Sequence, residues 1–311
     1  MPKATVLVTA YNSGIFLKDC IDSVLSQSFK DFELLIINDG STDNTARIIA
    51  SYTDKRIRHI NSNTNKGIAP SLNSALPEID SDYILRMDAD DICIQGRFEK
   101  QIHFMENNSE IGICGTWLQY FGNKNHIWKA CPSNAGIRVR TVFNCSVPNP
   151  SAIIRNDVLR KNNLQYDEDF PSPPMEDYAL LIDLFDKTKF ANIPVPLVLH
   201  REHASNASNF FRELKKEKMA VLHHRVLTKC GINPSKDELE MHWHFTYNLF
   251  DLNKYSLRDY AHWGHRVIQS AELDKPTSKG FVKYLYLKML KRIPIMRADQ
   301  FTRHAYYYFG F

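Results

Sequence analysis

Residues 83–91 read Y-I-L-R-M-D-A-D-D, an apolar run that breaks off into three carboxylates, Asp88, Asp90 and Asp91, within four positions. Alternation along a strand sends Asp88 and Asp90 to one side and Ala89 to the other. Arg86 falls on the Asp88 side, where it either pairs with Asp88 or reaches a phosphate. Carboxylates this close repel one another and raise one another's pKa unless a cation neutralises them. Oxygen ligands of this kind suit Mg²⁺ or Mn²⁺, with a diphosphate completing the shell. The competing reading is a solvated acidic turn that caps the following helix. Such a turn has no need of an apolar strand to deliver it to a sheet edge.

Working back from Tyr83, strand and helix patterns alternate. Ala4–Ala10 is apolar throughout, as a strand buried on both faces requires. After Asn12-Ser13-Gly14, Ile15, Leu17, Cys20, Ile21, Val24 and Leu25 recur at helical spacing. Phe32–Ile37 predicts a second strand, 46–52 a helix, Ile57–Ile60 a strand and Ile68–Leu76 a helix. This cadence predicts a mostly parallel sheet covered by helices, with ligands bound beyond the carboxyl ends of the strands. Two more strand ends then belong to the same crevice as Asp90. One is Thr9-Ala10-Tyr11-Asn12. The other is I-I-N-D-G, whose Asp39 either accepts a hydrogen bond from a base N–H or holds its own loop in an Asx-turn. The segment Asn63–Gly67 brings Lys66 to the same side.

Downstream the pattern mixes. A helix is expected over Phe98–Met105, a strand over Ile111–Thr116, a hairpin over Trp117–Trp128 and a helix over Ile137–Phe143. The P-S-P-P stretch at 171–174 is a loop that stops before a helix beginning at Glu176. Ile193–Leu199 suits an edge strand, where Pro194 and Pro196 are tolerated best. Beyond Ala204 the chain turns helical and rich in Lys and Glu. The expected division is residues 1–210 as the catalytic domain, with a nucleotide-binding half (1–91) and an acceptor half (92–210), and 211–311 as a basic helical extension.

A chain of 311 residues with 43% hydrophobic and 24% charged residues buries a sizeable core without staples. The six cysteines form no C-x-x-C and fit no zinc spacing. No run of about 20 apolar residues is present. The chain enters its first strand directly after Met1-Pro2-Lys3, so the expectation is a cytoplasmic protein. The net charge of +4 is unevenly spread: residues 211–311 carry 18 Lys and Arg against 10 Asp and Glu. Residues 279–293, K-G-F-V-K-Y-L-Y-L-K-M-L-K-R-I, and the terminal Y-Y-Y-F-G-F leave two readings open. One is peripheral contact with an anionic membrane; the other is a helix packed on the catalytic domain or on a second subunit as a homodimer. The tail holds no nucleic-acid module.

Four motifs in order, V-T-A-Y-N (8–12), I-I-N-D-G-S-T-D-N-T (36–45), N-x-N-K-G-I-A (63–69) and L-R-M-D-A-D-D (85–91), resemble the family 2 glycosyltransferases of GT-A fold. The likeness is strongest to those that build bacterial lipopolysaccharide and capsule chains. It continues through N-C-S-V-P-N-P-S-A-I-I-R (144–155), M-E-D-Y-A-L (175–180) and L-H-R-E-H-A-S-N-A-S (199–208). The resemblance implies a Rossmann-like sheet and a nucleoside-diphosphate sugar donor, most commonly a UDP-sugar. It further implies Mn²⁺ or Mg²⁺ and a glycan or lipid-linked acceptor. On the matching positions, Thr9, Ala10 and Tyr11 would line the base pocket, Asp39 would contact the base, and Lys66 would lie near base and ribose. Asp88 would contact ribose or the metal–diphosphate unit, Asp90 would be the main metal ligand, and His203 would close over the diphosphate or complete the metal shell. Asp177 would be the general base of an inverting transfer, with Glu176 beside it contacting acceptor or donor. One departure is Asn149-Pro150-Ser151, where this subgroup commonly has His-Pro-Ser; Asn cannot carry a proton at neutral pH as imidazole can. The alternatives are a nucleotidyltransferase, which ordinarily has a basic Gly-rich loop where Tyr11-Asn12-Ser13-Gly14 stands, and a module that binds nucleotide or glycan without catalysis.

Overall fold

The computed structural model describes residues 1–170, 174–203 and 212–291. The P-S-P part of the expected loop, the A-S-N-A-S stretch after His203 and the terminal aromatic run lie outside the described residues.

The strands are β1 (Ala4–Ala10), β2 (Phe32–Asp39), β3 (Ile57–Ser62), β4 (Tyr83–Asp88), β5 (Ile92–Cys93), β6 (Ile111–Gly122), β7 (Ile127–Trp128), β8 (Ile153–Arg155) and β9 (Lys189–Glu202). The helices between them are α1 (Leu17–Leu25), α2 (Thr45–Ala50), α3 (Ile68–Ala75), α4 (Arg97–Asn107), α5 (Asn134–Thr141), α6 (Asn156–Lys161) and α7 (Glu176–Asp183). After β9 come α8 (Arg212–Lys229), α9 (Lys236–Tyr247), α10 (Leu257–Ile268) and α11 (Lys275–Leu290).

The sheet runs β3-β2-β1-β4-β8-β6-β9-β5, with β7 paired on β6. β3, β2, β1 and β4 are mutually parallel, as the strand–helix cadence requires. β8 then reverses the direction, so the whole sheet is mixed. β1 lies between β2 and β4, which makes the carboxyl end of β1 a topological switch point. Val6, Val8, Leu34, Ile36, Leu85 and Met87 point to one face and pack with Ile21, Val24, Phe98, Ile102 and Met105 of α1 and α4. Leu7, Leu35 and Ile84 alternate to the other face and are equally buried. Strands apolar on both faces are what a two-sided sandwich of helices demands.

β9 is twice as long as the expected edge strand. It runs parallel to β6, and its register shifts where Thr116 and Trp117 oppose Ile193 and Pro196. The prolines thus fall at an irregularity, where a missing N–H interrupts no regular ladder. At Val198 and Leu199 its other side is covered by β5.

By packing the chain divides into two compact units. One takes in Met1–Ser133 and the residues from Val147 through β9; the other takes in Asn134–Ser146 and the helices from Arg212 onward. Residues 134–146, which the sequence reading keeps with the 92–210 half, therefore pack with the C-terminal helices. In that helical unit, buried His223 and His242 donate from Nε2 to the carbonyls of Phe143 (2.9 Å) and Val142 (2.8 Å). Burial in apolar surroundings without an acid lowers both imidazoles, His223 to about 4. α11 turns Ser278, Val282, Leu285, Tyr286, Met289 and Leu290 inward. Its apolar side is used within the helical unit, against α5 and α10. Among the described residues no helix is long and apolar enough to cross a membrane.

Candidate active site

Three loops at the carboxyl ends of β1, β2 and β3 are locked together. The Asn12 N–H donates to Ser41 Oγ (3.0 Å), Ser13 N–H to Thr45 Oγ1 (2.9 Å) and Gly14 N–H to Asp43 Oδ2 (2.9 Å), while Asn12 Oδ1 accepts from Thr42 N–H (2.8 Å). A Cβ on Gly14 would stand 1.7 Å from Asn44 Oδ1, so the close approach of the first two loops admits no side chain there. Gly40 has φ +70°, and a Cβ on it would stand 2.4 Å from the Thr64 backbone. Tyr11 projects from this assembly half exposed, above buried Ala10.

Asp39 is buried and grips the third loop. Its Oδ1 accepts from Lys66 N–H (3.0 Å) and its Oδ2 from Gly67 N–H (2.8 Å). The local turn contact expected of Asp39 belongs to Asn38, whose Oδ1 accepts from Ser41 N–H (3.2 Å). A carboxylate has about four lone-pair sites, so two backbone donors leave Asp39 capacity for a ligand donor. Lys66 is held by its backbone, with its side chain exposed.

At the end of β4 the three carboxylates fare differently. Asp88 is pushed up to about 7 by burial first, then by the charges of Asp91 and Asp90. Arg86 is the only cation bearing on it from β4 itself, at 3.8 Å from Nη2 to Oδ1. The Arg86 guanidinium is itself 1% exposed and donates from Nη1 to the Leu7 carbonyl at 2.7 Å. Of the two readings for Arg86, the pairing with Asp88 is the one the geometry allows; the side chain is closed off from any phosphate in solvent. Asp90 Oδ2 lies 2.9 Å from His203 Nε2, both side chains partly exposed. Asp91 is fully buried against His200 (2.8 Å). Burial works against a charged His200, but the Asp91 hydrogen bond and the neighbouring carboxylates outweigh it and hold its pKa at about 9. Burial pushes the Asp91 carboxyl up as well, and the His200 hydrogen bond and charge work against that rise.

Asp90 and His203 offer one carboxylate and one imidazole to the same point. Among the described residues no three His, Cys, Asp or Glu side chains converge as a metal cage. Such a pair fits Mg²⁺ or Mn²⁺ only where substrate phosphate and water fill the remaining positions, which is how these ions are usually held beside nucleotides.

Glu176 and Asp177 open α7. Glu176 is 4% exposed, and burial, then the charge of Asp177, pushes its carboxyl up to about 8. Asp177 is only partly buried, and one of its oxygens accepts from the Tyr178 N–H at 2.7 Å. With Asn149 and Tyr166 it lines a small pocket whose walls are Ile113, Ile154, Leu180 and Leu181. The departure at Asn149 is therefore a change beside Asp177 itself. Residues missed by sequence reasoning are His200 and Arg201, which contact Asp91 and Asp90. Their one signal is the run L-H-R-E-H, with two adjacent basic groups, His200 and Arg201, shortly before His203.

A switch-point crevice carrying loops from β1 to β4 and completed by the end of β9, in a chain that continues into a helical extension, is the GT-A arrangement. Staphylococcus aureus TarS 1–349, crystallised with UDP-GlcNAc, shares this fold with a TM-score of 0.64 at 17% identity, over 97% of this chain and 89% of that one. Residues 5–164 match Glycosyl transferase family 2. A glycosyltransferase of Haemophilus influenzae, itself uncharacterized, is 31% identical over 75% of this chain and 76% of its own length. WfaP of Escherichia coli, a UDP-Glc:α-D-GlcNAc-diphosphoundecaprenol β-1,3-glucosyltransferase, is 29% identical over 73% of this chain and 91% of its own. The chain belongs to glycosyl transferase family 2 and is related to bacterial lipopolysaccharide, capsule and teichoic-acid glycosyltransferases. Its activity is transfer of a sugar from a nucleoside-diphosphate sugar.

Proposed function

We propose that the enzyme is an inverting, metal-assisted glycosyltransferase that takes a sugar from a UDP-sugar to a hydroxyl of a glycan or lipid-linked glycan. The observation that carries the reading is the division of labour between two carboxylate sites: Asp90 faces His203 at 2.9 Å, while Asp177 stands partly exposed beside a buried, protonated Glu176. Pairs of acids whose surroundings push them apart in this way are the usual sign of separate roles.

In this reading Thr9, Ala10 and Tyr11 line the base pocket. Asp39 orders the Lys66 loop through its two backbone contacts and accepts a further hydrogen bond from the base. Asp88 faces the ribose or the diphosphate. Asp90 and His203 would hold Mn²⁺ or Mg²⁺, which when bound supplies neutralisation of the departing diphosphate's charge. Asp177 takes the proton of the acceptor hydroxyl as its oxygen forms the new bond to the anomeric carbon and the bond to the diphosphate oxygen breaks. Nucleoside diphosphate leaves as an anion and needs no protonating acid. A single displacement of this kind converts an α-linked donor into a β-glycoside.

UDP draws on TarS, crystallised with UDP-GlcNAc, and on WfaP, a UDP-Glc glucosyltransferase, and the lipid-linked acceptor on the diphosphoundecaprenol acceptor of WfaP. An enzyme acting on such an acceptor works at an anionic membrane surface, to which α11 would present Lys275, Lys279, Tyr284 and Lys288, its outward residues. The test is a transfer and hydrolysis screen over UDP-, GDP- and dTDP-sugars with Mn²⁺ and with EDTA. Turnover with a UDP-sugar in Mn²⁺, abolished by EDTA and giving the β-anomer by NMR, is the expected result. Metal-independent turnover or retention of configuration would contradict it.

A further inference from the structure

The contacts that fix where Asp90 points lie mostly outside the Asp90 side chain. Asp91 is 0% exposed and both its oxygens are engaged: Oδ2 meets His200 Nδ1 and Oδ1 accepts the Arg201 N–H, each at 2.8 Å. Arg201 Nε–H then donates to the Asp90 carbonyl at 2.9 Å. The Arg201 guanidinium lies against two rings, Phe16 and Phe121, with 4.6 Å from its carbon to each centroid, and its Nη2 reaches Asp19 at 3.0 Å. The Phe16 ring also meets the His203 ring, centroids 4.7 Å apart. Immediately before these contacts, β5 and β9 pair at Ile92–Leu199 and Cys93–Val198. Four segments (the start of α1, the turn after β4, the end of β6 and the end of β9) therefore meet at one arginine.

A buried carboxylate with both oxygens occupied is a poor ligand for anything further, and a guanidinium held by two rings, a carbonyl and a carboxylate is in no position to follow a substrate. These groups hold backbone. We propose that Asp91, His200 and Arg201 are positioning residues for the donor site, with Arg201 the central member: they keep the Asp90 carboxylate facing His203, so that the cation-binding half of the site exists before the nucleotide arrives. The inference rests on the donor-site reading above. Outer-shell partners of metal ligands are typically worth about 10–100-fold in metal affinity. The planar, multiply donating fork of Arg is what ring stacking and two differently placed acceptors require, and Lys does not reproduce it.

The test is titration calorimetry of the full chain with UDP, once in Mn²⁺ and once in EDTA, for the parent, Arg201→Ala and Arg201→Lys, with unfolding midpoints alongside. The parent is expected to bind UDP more tightly in Mn²⁺ than in EDTA. In Arg201→Ala that metal-dependent gain should shrink at least fivefold, while affinity in EDTA stays within about twofold, because the base-side loop is held by Asp39 through the Lys66 and Gly67 N–H groups. Arg201→Lys, expected to lose the gain as well, is the deciding variant should the alanine form not fold. A gain reduced by less than fivefold in a folded variant overturns the proposal. So does an equal loss in Mn²⁺ and EDTA, which is general loosening, and so does failure of both variants to fold, which makes Arg201 a folding residue. A parent with no Mn²⁺ gain is a different failure: it refutes the metal-assisted reading itself and removes the site that Arg201 is said to position.

Discussion

At the end of β4 three carboxylates crowd into four residues, and at the start of α7 two stand side by side; burial pushes the buried member of each set up, but the two are given different neighbours. Buried Asp91 faces His200 and the Arg201 N–H, and the imidazole is held charged with a pKa of about 9. Buried Glu176 faces the charge of Asp177, and its carboxyl is pushed up to about 8, so it keeps its proton at neutral pH. Both are buried carboxyls; a basic partner faces Asp91 and an acidic one faces Glu176. The β4 end is thereby left with an excess of negative charge that Asp88, pushed up to about 7, registers and that a cation would relieve. The α7 start is left with one partly exposed acid and one neutral one, an arrangement suited to moving a proton rather than holding a metal.

The largest effect that this contrast implies is at Asp177. Asp177→Asn should cut turnover by roughly 10²–10⁴, the usual worth of a positioned base, and leave calorimetric UDP affinity unchanged. Turnover within tenfold of the parent would erase the distinction between the two sites. Next comes Asp90→Ala, expected to weaken Mn²⁺-dependent UDP binding by about 10–100-fold while leaving binding in EDTA intact; an unchanged titration would show that the β4 end is not the cation site.

Glu176→Gln sharpens the other half of the comparison. Between the ordinary Glu pKa of 4.5 and about 8, folded Glu176 holds a proton that the unfolded chain has lost. Folding stability contributed at this position is therefore complete below about 4.5 and drains away as pH rises toward 8. The glutamine variant escapes that loss. Its unfolding midpoint should gain on the parent between pH 5 and pH 8, by on the order of 5 °C. A gap that stays constant with pH would mean Glu176 ionises normally. The smallest effect is at Asn149, in the pocket beside Asp177. Asn149→Ala should raise acceptor KM by about two- to tenfold, one hydrogen bond's worth, with donor KM unaffected.

Legibility in the sequence followed the range of the interactions. The parallel half of the sheet was readable because each of its strands is an apolar run closed by polar residues, and its loops therefore had to meet at one end. The acidic end of β4 was readable for the same reason. β9 was not: Pro194 and Pro196 suggested a short edge strand, whereas the register shift opposite Thr116–Trp117 lets one strand run from Lys189 to Glu202. Asp91 and His200 stand 109 positions apart and meet only because β5 pairs with β9 over two residues. Nothing in the local pattern of either announces the other. The partner of Asp39 was hidden likewise, since backbone N–H groups of residues 66 and 67 leave no mark on composition.

The most direct measurement is a crystal structure of the full chain with Mn²⁺ and an unhydrolysed UDP-sugar. It should show the uracil against Tyr11 and Asp39, the metal on Asp90 with the diphosphate, and the sugar presenting its anomeric carbon toward Asp177 on the side opposite the leaving oxygen. A donor seated with its anomeric carbon turned away from Asp177, or a metal bound without Asp90, would contradict it.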